Sequence, residues 1–119
     1  MGKLSTNGFI DGGLNAISGS TQVSICSAEP TSIANIEAVS LADNVISGVD
    51  FTIADGDTSG RKVTIAQQAS VPIDATGTAT HVAIDDGTDY YVTTCTSQAL
   101  TSGGTVTIPA WDIEIADPT

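Results

Sequence analysis

Along most of this chain apolar and polar residues alternate with period two. That spacing puts successive side chains on opposite faces of a strand. The clearest case lies in residues 77–95. Thr78, Thr80, Val82 and Ile84 fall on one face of a run that ends at Asp85-Asp86-Gly87-Thr88-Asp89. Tyr90, Val92 and Thr94 then return on one face, and Tyr91, Thr93 and Cys95 on the other. Alternating β-branched and aromatic residues around a DG turn predict an antiparallel hairpin.

The same period recurs elsewhere. Residues 22–27 alternate Val23 and Ile25 against Ser24 and Cys26. Residues 40–47 hold a short strand around Val39 and Leu41. Phe51 and Ile53 mark another strand, and residues 61–66 one with Val63 and Ile65 inward. Val71 and Ile73 flank Pro72, which predicts an edge strand, because proline cannot donate to a ladder. Val106 and Ile108 form a strand, and Trp111, Ile113 and Ile115 the last. Residues 97–104 read as a loop carrying Leu100. IANIEAV at residues 33–39 reads equally as a helical turn or an edge strand.

Only the N-terminal region shows a helical stripe. Ile10, Leu14 and Ile17 recur at i, i+4, i+7, which predicts a short helix over residues 6–18 capped by Thr6 or Asn7. Gly12 and Gly13 each cost it about 1 kcal/mol relative to alanine. Their smooth surface would let the helix lie close against a sheet. The expected fold is therefore mainly β: an antiparallel β-sandwich or small β-barrel of seven to nine short strands with one short N-terminal helix. It is a single domain, with residues 1–20 as arm and helix and 21–119 as β core. The expected core comprises Ile10, Leu14, Val23, Ile25, Phe51, Ile53, Val63, Ile65, Val82, Ile84, Val92, Val106, Ile108 and Ile113. An internal echo, T-S-G-x-x-V-T-I, occurs at residues 58–65 and 101–108. It reads as two equivalent hairpin arms or as two independent uses of a good turn-strand sequence.

Composition narrows the function classes. A chain of 119 residues makes one domain and buries about 65% of its unfolded surface, enough to fold without a metal or disulfide. Fourteen acidic residues against Lys3, Arg61 and Lys62 give a net charge of -11. Such a chain repels phosphate backbones and anionic membrane surfaces, so neither nucleic acid nor membrane is an expected partner. With 40% hydrophobic and only 14% charged residues, it is too apolar for a disordered acidic tail. No stretch is long and apolar enough to span a bilayer. Lys3 is not followed by the apolar run of a secretory signal, so synthesis in the cytoplasm is expected. Cys26 and Cys95 are too few for a disulfide framework. They read as reduced, buried small apolar side chains, and a bridge between them requires neighbouring strands.

Few residues offer chemistry. His81 is the only histidine, and it lies among small residues of the hairpin. A general base needs a nucleophile and an orienting partner, and no nucleophile elbow surrounds Cys95. His81 reads as a packed or hydrogen-bonded sheet residue. The Asp55-Gly56-Asp57 and Asp85–Asp89 turns cluster carboxylates, yet neither has the spacing of an EF-hand, and aspartate and glycine are the ordinary turn residues. No catalytic, cofactor or metal residue is assigned, and an enzyme is not expected.

Several segments together carry a family resemblance: SICSAEP after the N-terminal helix, then DFTIADGDTSGRKVTI, ATGTATHVAI, YYVTTCTSQAL and TVTIPAWDIEI. Over residues 4–118 the chain resembles small tailed-bacteriophage proteins encoded beside head genes, some of them capsid decoration or cement proteins. The resemblance implies a virion structural subunit with a β core and no catalytic residue. It implies the major capsid protein as partner, a place on the capsid surface, and a homo-oligomer, with a trimer favoured. The alternative is a receptor- or carbohydrate-binding module of a tail or head fibre. The chain's few aromatics, Phe9, Phe51, Tyr90, Tyr91 and Trp111, count against it because most are needed for core or interface. A self-association surface on so acidic a chain should be small or apolar. Ala79, His81, Ala83 and Tyr91 are the candidates if the N-terminal helix leaves them open, with Lys3 and Leu4 in an arm that reaches a neighbour.

Overall fold

The structure is a computed structural model, and it describes residues 6–115 apart from the side chain of Phe9. Among these residues the order is α1 (Asn7–Ile17), β1 (Gln22–Cys26), α2 (Ile33–Val39), β2 (Ser40–Val45), a 3-10 turn (Gly48–Asp50), β3 (Phe51–Asp55) and β4 (Arg61–Ile65). It continues with β5 (Gln68–Pro72), β6 (Gly77–Asp85), β7 (Tyr90–Leu100), β8 (Thr105–Ile108) and β9 (Trp111–Ile115). The strands form antiparallel sheets of order β2-β1-β6-β7, β3-β4-β9 and β5-β8. The fold is mainly β and sandwich-like, as the alternation predicts.

One main core is fed by all three sheets and by α1. Val23, Ile25, Val82 and Ile84 enter it from the four-stranded sheet, and Val63, Ile65 and Ile113 from the three-stranded one. Val71, Ile73 and Ile108 come from the β5 region and β8, and Ile10 and Leu14 from α1. Leu14 is fully buried, which fits the helical stripe. Phe51, Ile53 and Val106 are partly buried against this core. Gly12 opens onto empty space, and a Cβ on Gly13 would meet Ile115 Cδ1 at an ordinary 3.6 Å, so neither glycine is required for the approach of helix to sheet.

A second, smaller core lies on the opposite face of the four-stranded sheet. Cys26, Ile36 and Ala83 are buried there, with Ile33, Val39 and Val92 packed around them. The element covering this face is α2, not the N-terminal helix. The sequence 33–39 is thus a helix: Ile33, Ile36 and Val39 recur every three residues and turn to one side. The side chain of Ser32 accepts the Asn35 N–H at 3.1 Å and starts the helix. Because both faces of β6 are covered, Val82, Ala83, Ile84 and Asp85 are all buried in succession.

Two expectations for the hairpin change. Residues 97–100 do not form a loop but the end of β7, with Gly77 opposite Leu100. The register also shifts: Ala79 faces Gln98 while His81 faces Thr94, so residues 95–97 of β7 oppose Thr80 alone. This bulge inverts the face parity of β6. Ala79, not Thr80, joins Val82 and Ile84 in the main core.

The repeated T-S-G element places Gly60 at φ 70° and Gly103 at φ 91°, the left-handed turn conformation, in equivalent positions. The first copy closes the β3–β4 hairpin. The second passes between strands that are not partners, since β7 pairs with β6 and β8 with β5. The echo is a shared turn-to-strand launch, not a pair of hairpin arms.

Candidate interaction surfaces

The acidic turn after β6 is held by its own carboxylates. Asp86 Oδ1 accepts the backbone N–H groups of Thr88 and Asp89 at 2.8 and 2.7 Å, and Asp85 Oδ2 accepts that of Gly87 at 3.1 Å. The bonds from Asp89 and Thr88 hold the Asp86 carboxyl below its ordinary pKa. The second acidic turn is tied to cations. Arg61 donates to Asp11 through Nε at 2.9 Å and to Asp55 through Nη1 at 2.7 Å. Lys62 Nζ lies 2.7 Å from Asp57 and 3.5 Å from Asp112. These contacts, led by Asp11 for Arg61 and by Asp57 for Lys62, raise the pKa of both cations. Glu114 Oε1 accepts the Asp57 N–H at 2.9 Å. Asp55, Asp57, Asp85 and Asp86 thus use their carboxylates within the fold, and among the described residues no three His, Cys, Asp or Glu side chains gather as metal ligands.

The residues expected to share a contact surface are dispersed. Ala79 lies in the main core and Ala83 beneath α2, at 4% and 0% exposure, so neither is available to a partner. The bulge and the covering helix separate them, and this corrects the expected grouping. His81 is half-buried between Cys26 of β1 and Thr94 of β7. Its Nδ1 is 2.9 Å from the Thr80 hydroxyl. Tyr91 is 38% exposed and Tyr90 42%. Lys3 and Leu4 lie outside the described residues.

Cys26 is buried and Cys95 partly exposed, and both are free thiols. Strand β6 lies between their strands, and they project to opposite faces, so they cannot bridge. Burial, and secondarily Cys95, push the Cys26 thiol up to about 11.

Beside β7 the sandwich is open. A cleft of about 300 Å³ runs between Thr93, Thr94 and Cys95 of β7 and Ile108, Trp111 and Asp112 across from it. The rings of Tyr91 and Trp111 lie 6.2 Å apart. The Trp111 indole N–H is buried without a hydrogen-bond partner among the described residues. The residue that sequence reasoning passed over is Gln68, which has no apolar signal. It is buried, accepts from Asn44 Nδ2 at 2.8 Å and donates to the Ala66 carbonyl at 3.1 Å. It fastens β5 beside β2 and helps close that edge of the four-stranded sheet.

The chain matches no family model, no curated protein and no solved structure.

Proposed function

We propose that this chain is a structural subunit of a tailed-bacteriophage virion, seated on the outside of the head against the major capsid protein as a decoration or cement subunit. The observation that carries the reading is the distribution of charge over the folded surface. Arg61 and Lys62 are both committed to aspartates. Glu29, Glu37, Asp74, Asp86 and Asp89 stand exposed, and among the described residues no basic side chain is bonded to them. Such a surface is complementary to a basic patch on a protein shell and repels phosphate. The test is binding of the purified protein to heads and to tails of such a phage that lack it. Saturable binding to heads, weakening as salt rises, is expected. Binding to tails alone overturns the assignment.

A second reading, a carbohydrate- or receptor-binding module, is favoured by one feature. Tyr91 and Trp111 stand beside a cleft that also presents Thr93 and Asp112, an aromatic wall with polar groups nearby. Titration with oligosaccharides, read by Trp111 fluorescence, decides it. A saturable change favours this module over the capsid reading.

A further inference from the structure

We propose that two copies of this chain pair through the outer edge of β7, antiparallel about a two-fold axis at Val92, so that their four-stranded sheets become one. The inference goes beyond the capsid reading and is tested on the isolated protein.

The backbone directions around β7 fix which groups are free. Thr21 N donates to the Asp85 carbonyl at 2.8 Å, so Asp85 turns its carbonyl away from β7. In an antiparallel ladder bonded and non-bonded pairs alternate. Asp85–Tyr90 is therefore a non-bonded pair, and Ile84–Tyr91 and Val82–Thr93 exchange the bonds. The bond from Asp86 N to the Asp89 carbonyl at 3.1 Å fits the same alternation. Tyr90, Val92 and Thr94 consequently aim their N–H and C=O groups outward, where among the described residues β7 has no neighbouring strand. The bulge at residues 95–97 ends this regular segment.

Centring the axis on Val92 satisfies every one of these groups. Val92 bonds Val92 of the second copy, and Tyr90 and Thr94 bond each other reciprocally. Tyr91 then stands opposite Thr93 of the second copy, an aromatic against β-branched pair of the kind that stabilises sheets. The opposite edge of the sheet is closed by the β2–β5 contacts, including the Ala42–Ile73 bridge and the bonds from Asp74 N and Ala75 N to the Leu41 carbonyl.

Charge identifies the occupant as a second copy. Residues 90–111 contain no Asp, Glu, Lys or Arg, the longest such run in a chain of net charge -11. Edge strands are ordinarily guarded by charge, and β9 carries Asp112 and Glu114. The first five residues of β7 have no such guard. An acidic partner is opposed elsewhere on the surface, but the paired Tyr90–Thr94 segments of two copies oppose no like charges directly. With the axis at Val92 the two Asp89 side chains stand six residues apart along the strands, about 20 Å, beyond a Debye length of about 8 Å. A ring of three would have to join β7 to a different edge, and the like-with-like contact is the one in which every outward group of Tyr90–Thr94 finds its own counterpart.

Sedimentation equilibrium over a concentration series tests the pairing. The wild-type chain is expected to dimerise. Thr94→Pro removes one outward N–H per copy, and proline is tolerated on a strand edge. It should leave the circular dichroism spectrum unchanged and weaken the dimer about tenfold or more, for two lost bonds. Val92→Cys should give an oxidised, covalently linked dimer, because opposed residues lie about 5.5 Å apart at Cα. A wild-type chain that stays monomeric at millimolar concentration overturns the proposal. So does a dimer that is untouched by Thr94→Pro and lost on Val49→Asp, a change at an exposed site away from β7.

Discussion

Cys26 shows what burial does to a single side chain here. It sits at 0% exposure beneath α2, and its thiol is pushed from an ordinary 9.0 up to about 11, first by burial and then by Cys95. Because the folded value lies above the unfolded one, the unfolded chain ionises first as pH rises. The stability this group lends is complete below pH 9 and is lost as pH climbs through 11. Urea melts across that window should show the wild type losing up to about 3 kcal/mol more than Cys26→Ala. Parallel curves would show that the thiol does not feel its burial. At neutral pH the same shift predicts that Cys95 reacts with alkylating reagents well before Cys26 in the native state. Alternation placed Cys26 with Ser24 on the face opposite Val23 and Ile25, and only its residue type marked it for burial. That a second core lay behind it was not legible, because the covering element is only seven residues long and its IANIEAV pattern reads equally as an edge strand.

That element, α2, carries the argument at its own scale. A seven-residue helix has no stability alone and depends on the face it covers. Its register depends on the cap that Ser32 supplies to Asn35. Ser32→Ala should cost about 1 kcal/mol, measured by chemical denaturation, with no loss of β-sheet signal. A neutral result would mean that packing of Ile36 alone sets the helix. The strands were the easiest elements to read, since Val23/Ile25, Val63/Ile65 and Val82/Ile84 keep period two and face one core. Where reading failed, the cause is local. Thr96, Ser97 and Gln98 carry no apolar alternation, so the end of β7 resembles a loop, and only its pairing with Gly77–Ala79 makes it a strand. A bulge leaves no mark in a Thr/Ser-rich stretch, and so the parity of Ala79 was misread and the candidate contact face with it. Tyr91 was legible as a candidate contact residue. The free edge beside it emerged only once the strand order placed β7 last.

For the whole molecule, charge is the dominant fact. The acidic turns spend their carboxylates on backbone N–H groups and on Arg61 and Lys62. Removing divalent ions should therefore leave the melting temperature unchanged. A ligand bound only by the folded state at 100 times its dissociation constant adds about 2.7 kcal/mol, several degrees in a domain of this size. A clear fall in melting temperature with EDTA would show that a metal holds the turns. The remaining exposed carboxylates and the charge-free run at residues 90–111 are the surfaces on which the proposed contacts with a basic shell and with a second copy rest.

On the proposed function, this chain strengthens a phage head from outside. The direct measurement is DNA release on heating, followed by dye fluorescence, from heads that lack the protein and from the same heads saturated with it. Saturated heads should retain their DNA to a distinctly higher temperature, in proportion to occupancy. Equal release temperatures at full occupancy, or no occupancy at all, would contradict it.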